Sequence, residues 1–252
     1  MKISVCGKGG SGKSTLVTLL ANQAQSRGMK VLVIDSDESN TSLHMMLGFT
    51  HPPSPLMELL GGKSGLKQRM KEPSILSETQ IKTDSIPREH IVEKNGLALV
   101  SIGKILQSLE GCACPMGVLS REFLSKLTLE ENEIAIVDME AGVEHFGRGI
   151  DANIDVVLLV VDPSFESIML AERIKHMSAT IEKKSWAILT KIDSERTATK
   201  LANELQKRAI EVLGTIPNDP TIFEACLNGN PLSQGESAKE AGKILDYLLA
   251  KQ

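Results

Sequence analysis

The sequence predicts an α/β fold: a mostly parallel, twisted sheet flanked by helices on both faces, built around a phosphate-binding loop. Three observations predict it. A short strand pattern runs into a glycine-rich loop and then an apolar-periodic segment, the signature of a βαβ opening. Continuous aliphatic runs recur along the chain, as strands buried on both faces do. Helical periodicity fills the intervals between those runs.

The elements follow in order. Lys2–Cys6 reads as a strand, Lys13–Arg27 as a helix stopped by Gly28, and Lys30–Asp35 as a β-branched strand ending in acid. A right-handed crossover would make these two strands parallel neighbours. Further strands are expected at Glu133–Asp138, Asp155–Val161, Ser185–Thr190 and Glu211–Ile216, with helices at about Pro163–Ile181 and Glu195–Arg208. Residues 49–131 read as a less regular insertion in a single nucleotide-binding domain spanning 1–252. It opens on His51-Pro-Pro-Ser-Pro55 and carries polar, mobile-looking segments around Lys63–Arg88. Within it, Glu89–Lys94 and Leu97–Ile102 pair across Asn95-Gly96, a hairpin signal, and a helix follows at about Met116–Leu127. Ala238–Lys251 reads as an amphipathic terminal helix.

Composition narrows the function classes. The 252 residues carry 28 Lys+Arg against 32 Asp+Glu, a net charge of −4, so no global field draws the chain to nucleic acid or anionic lipid. Aromatics are 3%, too few for base-stacking platforms. The longest aliphatic run, Val156–Val161, is far short of a membrane span. The N-terminus opens directly into a strand, without a secretory core, and four cysteines suit a reducing compartment. The expectation is a cytoplasmic protein with no nucleic-acid or membrane partner.

Gly7-Lys8-Gly9-Gly10-Ser11-Gly12-Lys13-Ser14-Thr15 matches G-x-x-x-x-G-K-[ST] between a strand and a helix. The glycines let backbone N–H groups converge on phosphate oxygens, and the helix N-terminus adds its dipole. Lys13 should reach the β- and γ-phosphates, and Ser14 should ligate Mg²⁺. Asp138, closing the run Ile134–Val137, holds the position of a carboxylate in the Mg²⁺ shell. Gly142 sits where a backbone N–H can sense the γ-phosphate. Taken singly, such carboxylates are equally good helix caps; their order around a phosphate loop favours catalysis. Two segments bear on the base. Thr190-Lys191-Ile192-Asp193 looks like the guanine-reading [NT]-K-x-D element, with a helix-capping Asp193 as the plainer reading. Ile216-Pro217-Asn218-Asp219-Pro220 resembles the adenine-side segment of MinD-type ATPases. ATP is favoured, with GTP use left open.

Cys112-Ala113-Cys114, followed by Pro115, presents two thiols too close for a comfortable disulfide. They can offer two soft thiolates to one metal. One chain then supplies half of a four-sulfur shell, and a two-fold dimer axis completes it. Cys6 and Cys226 read as core or groove thiols.

The pattern K-G-G-x-G-K-[ST] resembles the deviant phosphate loop of the MinD/nitrogenase-iron-protein superfamily. Together with Cys112-x-Cys114 and Asp138-Met-Glu-Ala-Gly-Val-Glu-His145, the chain looks like the CooC family of nickel-insertion ATPases for carbon monoxide dehydrogenase. The similar AcsF proteins serve acetyl-CoA synthase. The resemblance implies an ATP-driven homodimer in which Lys8 reaches the partner's nucleotide. It implies Asp37, in Val33-Ile-Asp-Ser-Asp37, as the switch I acid near the attacking water. It also implies Ni²⁺ or Zn²⁺ held by Cys112 and Cys114 at the interface, and carbon monoxide dehydrogenase or acetyl-CoA synthase as client. His145 is a switch II residue or a further metal ligand, though a lone His beside a polar turn is usually neither. The competing readings are an iron–sulfur carrier ATPase, a MinD or ParA positioning ATPase, and a nickel-maturation GTPase of the HypB or UreG type.

Overall fold

A computed structural model describes residues 1–104, 114–232 and 235–251, the side chain of Cys114 excepted. The chain runs β1 (Lys2–Gly7), α1 (Lys13–Ser26), β2 (Lys30–Asp35), α2 (Leu43–Met46), α3 (Gly62–Arg69), β3 (Val92–Lys94) and β4 (Leu97–Ser101). It continues through α4 (Cys114–Lys126), β5 (Glu133–Asp138), α5 (Glu144–Gly147), β6 (Val156–Val161), α6 (Phe165–Thr180) and β7 (Lys184–Ile192). The last elements are α7 (Glu195–Gln206), β8 (Val212–Pro217), α8 (Pro220–Asn228) and α9 (Glu236–Ala250).

The strands form one eight-stranded sheet in the order β3-β4-β2-β5-β1-β6-β7-β8. Among the described residues, only the β3–β4 hairpin is antiparallel; every other strand pairing is parallel. The expected adjacency of β1 and β2 does not hold, because β5 lies between them and pairs with both. The crossover rule constrains handedness, not how many strands are skipped. The skip has a consequence for chemistry. It brings the carboxyl ends of β1, β2 and β5 together, the place where open α/β sheets bind ligands.

Alternation along each strand divides the core. Val31 and Val33 of β2 face a cluster with Leu16, Leu20, Ile244 and Leu248 of α1 and α9. Leu32 and Ile34 face Leu119 and Phe123 of α4, in a cluster that includes Ile174 of α6 and Leu205 of α7. Both faces are therefore covered by helices. The segment expected to be irregular between 63 and 88 carries α3 and sends Leu66, Ile75, Leu76, Ile81 and Ile86 into the second cluster. Apart from the Ile75-Leu76 pair, its buried apolar residues stand singly among polar ones, which hides their common face.

Candidate functional site

The phosphate loop leaves β1 at Gly7, where a Cβ would lie 2.6 Å from the Val160 carbonyl and 2.9 Å from Ser11 Oγ. Only glycine fits that approach. The left-handed Gly12, φ 101°, then caps α1. Ser11 N donates to the Lys8 carbonyl at 3.1 Å, and Thr190 Oγ1 donates to the Ser11 carbonyl at 2.7 Å. The loop is thus pinned from β7. A cavity of about 560 Å³ opens above it, lined by Gly9 through Leu16, Asp37, Asn40, Lys191 and Pro217 among others. Of the residues expected to bind nucleotide, all from Gly9 to Thr15 line it, as do Lys191 and Pro217.

Asp138 and Asp35 are register partners at the ends of β5 and β2. Burial pushes the Asp138 carboxyl up to about 6, against the Ser14 hydroxyl and Lys13, which pull it down. Burial likewise raises Asp35 to about 7, with Lys104 opposing and Asp138 adding to the rise. Ser14 Oγ donates to Asp138 Oδ2 at 2.6 Å, and Asn40 Nδ2 donates to Ser14 Oγ at 2.9 Å. Asp138 Oδ1 is buried without a hydrogen-bond partner. A hydroxyl and an unpaired carboxylate oxygen beside a phosphate loop are hard donors of the kind Mg²⁺ takes together with nucleotide phosphates, so these residues fit the ion. Because Asp138 must be ionised to hold it, Mg²⁺ affinity in the ATP complex should fall by up to about tenfold per pH unit below pH 6. Titration between pH 5 and 8 checks this, and a flat profile would rule out Asp138 as the titrating ligand.

Asp37 is buried, and its Oδ1 accepts from Ser39 N at 2.9 Å and Ser39 Oγ at 2.6 Å. These bonds aim an otherwise mobile acid. Lys8 sits within its own chain: Nζ is 3.2 Å from Asp162 Oδ2 and donates to Ser164 Oγ at 3.1 Å. Gly142, φ 99°, donates its N–H to the Gly7 carbonyl at 3.3 Å, so β5's following loop is tied to the phosphate loop.

His145 is fully buried, with Nδ1 2.7 Å from Asp151 Oδ2 and Nε2 3.2 Å from the Gly142 carbonyl. An acceptor on each side calls for a doubly protonated ring. Burial works against that charge, but the Cys6 sulfur and the Asp151 carboxylate outweigh it and hold the imidazole well above its ordinary value. Donor atoms of Cys6, His145 and Asp151 lie within 4.8 Å of one another. With both ring nitrogens engaged, the cluster is a hydrogen-bond network rather than a ready metal shell.

Asp193 is not among the residues lining the cavity. It accepts from Ser194 Oγ at 3.2 Å, and it is Ser194, not Asp193, that caps α7 by accepting from Thr197 N. Asp193→Asn should therefore leave the ATP/GTP preference within about twofold, since an exposed side-chain change away from the ligand has small effects. A selective loss of GTP binding would restore the guanine-reading alternative.

Cys112 lies outside the described residues. Cys114 opens α4, followed by Pro115 in the first turn, where a missing N–H costs nothing. Cys6 is buried in the core and Cys226 is exposed at the cavity wall. Sequence reading missed Asn40, Thr190 as a loop pin, and Lys104, whose Nζ lies 2.6 Å from both Asp35 Oδ2 and the Asp37 carbonyl. Thr190 entered only as the first residue of the Thr190–Asp193 element, and lies inside β7. Asn40 and Lys104 carry no motif, and their place in the loops that follow β2 and β4 was the available signal.

The family described as the CobQ/CobB/MinD/ParA nucleotide binding domain matches residues 3–232. An uncharacterized ATP-binding protein of Methanocaldococcus jannaschii is 44% identical over 92% of this chain and 94% of its own length. The carbon monoxide dehydrogenase accessory protein CooC of Rhodospirillum rubrum is 32% identical over 89% of this chain and 86% of its own. Among solved structures, the septum site-determining protein MinD of Pyrococcus horikoshii, complexed with Mg-ADP, superposes with a TM-score of 0.73 at 18% identity. That match covers 99% of this chain and 96% of that one.

Proposed function

The chain belongs to the CobQ/CobB/MinD/ParA nucleotide-binding family and is a P-loop ATPase, and from that premise we propose that it is an ATP-driven metallochaperone. In this reading a single nucleotide-binding domain spans the chain, two copies close on ATP in the cytoplasm, and Cys112 and Cys114 of each hold one soft metal ion between them. The cargo is Ni²⁺ or Zn²⁺, and the client is a nickel enzyme such as carbon monoxide dehydrogenase or acetyl-CoA synthase. The observation that carries the reading is the Cys112-Ala113-Cys114-Pro115 motif, which a phosphate site alone does not call for. The 32% identity to CooC over most of both chains supports it.

The chain's own residues supply the ATPase cycle. Backbone N–H groups of the loop and Lys13 bind the phosphates. Ser14 and Asp138 would hold Mg²⁺, which would supply positive charge to offset that of the phosphates. Asp37, fixed by Ser39, orients the attacking water and accepts its proton. The Gly142 N–H, held on the Gly7 carbonyl in the single chain, would have to leave it to sense the γ-phosphate, and the buried His145 ring braces the Gly142 carbonyl behind it.

Lys8 links turnover to assembly. In the single chain it is paired with Asp162; in the closed dimer the competing partner is the neighbouring nucleotide's phosphate, with several negative charges. Lys8→Ala should therefore bind ATP normally but fail to dimerise with a non-hydrolysable ATP analogue, as read by light-scattering mass. A normal dimer in Lys8→Ala would remove the in-trans role.

A further inference from the structure

Two side chains join the phosphate-sensing loops to the segment that bears the cysteines, and neither is needed for nucleotide contact. The first is Lys104, the last described residue before that segment. Its ammonium has three N–H donors, and three oxygens meet them: Asp35 Oδ2 at 2.6 Å, the Asp37 carbonyl at 2.6 Å, and the Asn40 carbonyl. The Asn40 side chain in turn donates to Ser14 Oγ at 2.9 Å. Lys104 is 11% exposed, so breaking its bonds to the loop would strand buried acceptors. The preceding residue is packed against α4: a Cβ on Gly103 would lie 2.4 Å from Met116 Sδ. Lys104 and Gly103 thus connect the Asp37–Asn40 loop to Met116 in the first turn of α4, two residues beyond Cys114.

The second is Arg148, beyond the 138–145 loop. Its Nη1 donates to Glu140 Oε1 at 2.5 Å. Its aliphatic stem lies on α4, where a Cβ on Gly117 would come within 2.4 Å of Arg148 Cδ. Arg121 of α4 donates to the Arg148 carbonyl at 3.3 Å. The Ser36 and Ser120 hydroxyls, 2.9 Å apart, add a contact between the first loop and the same helix. The helix that Cys114 opens is thus held by both loops.

We propose that Lys104 and Arg148 are positioning residues that couple the nucleotide state to the soft-metal affinity of Cys112 and Cys114. Lys104 carries the position of the Asp37–Asn40 loop, and Arg148 that of the Glu140 loop, to the two ends of the cysteine segment. The coupling rests on the metal-binding reading above. Linkage is reciprocal, so metal must act back on nucleotide affinity through the same two contacts.

The test measures Zn²⁺ affinity of the full chain by chelator competition, with ADP and with a non-hydrolysable ATP analogue. Wild type should show a ratio between the two states of about tenfold. Lys104→Met and Arg148→Met should each bring that ratio toward one, with the affinity for the ATP analogue within about threefold of wild type. A merely structural role would not move the ratio at unchanged nucleotide affinity. A wild-type ratio that persists in both variants overturns the coupling and leaves the metal site standing. Zn²⁺ bound by wild type with no dependence on nucleotide does the same. Absence of Zn²⁺ binding by wild type overturns both. Should the variants not fold, hydrogen exchange on wild type decides: Zn²⁺ slowing exchange across residues 36–42 supports the coupling, and unchanged exchange there overturns it.

Discussion

Asp37→Asn is expected to bind ATP with near-normal affinity and to hydrolyse it about 10² to 10³-fold more slowly. The buried carboxylate is aimed by Ser39 N and Ser39 Oγ, and it acts on the water only as that water is deprotonated. An interaction made in the transition state alone lowers kcat and leaves binding intact. Lys13→Ala should behave differently. Its ammonium contacts phosphate in the ground state too, so nucleotide binding itself is expected to be lost. The pair separates the two roles: equilibrium binding falls in one variant and only turnover falls in the other. An unchanged ATPase rate in Asp37→Asn would remove it from the mechanism.

The second large effect is expected at the cysteines. Replacing Cys112 and Cys114 together by Ser removes every thiolate from the proposed shell, and a hydroxyl is a poor ligand for a soft or borderline ion. Metal binding should fall by at least about a hundredfold, as four metal–sulfur bonds per dimer are lost. ATP binding at Lys13 should be unaffected, because the phosphate loop hangs from β1 and is pinned by Thr190 on the far side. Tight metal binding by the double serine variant would move the site elsewhere, with Cys6, His145 and Asp151 the next cluster to test.

Strands β1, β2 and β5 were legible as short, largely apolar runs closed by a glycine or an acid, and they matched their expected spans to within a residue. The phosphate loop was legible because its chemistry needs glycines and a Lys-Ser pair at set spacing. What the sequence did not disclose is non-local. Nothing in Lys2–Gly7 or Lys30–Asp35 says that β5 will enter between them, yet that insertion is what sets Asp35 beside Asp138. Lys104 is one lysine after a strand, and only the fold shows its ammonium amid Asp35, Asp37 and Asn40. Asp193 taught the converse. It fits a guanine-reading pattern by residue type, but it stands outside the cavity that Lys191 and Pro217 line. Helix α3 was hidden because Leu66 is its only buried residue.

Lys8 and the cysteine pair ask for the same two-fold partner, the first for its phosphate and the second for its thiolates. That shared partner fixes a stoichiometry. It is tested by measuring the metal-to-protein ratio and the mass in solution on one sample of wild-type protein, loaded with Zn²⁺ or Ni²⁺ and a non-hydrolysable ATP analogue. One ion per two chains is expected, in a particle of twice the 27.3 kDa chain mass; one ion per chain, or metal bound tightly by a monomer, would rule out the shared site.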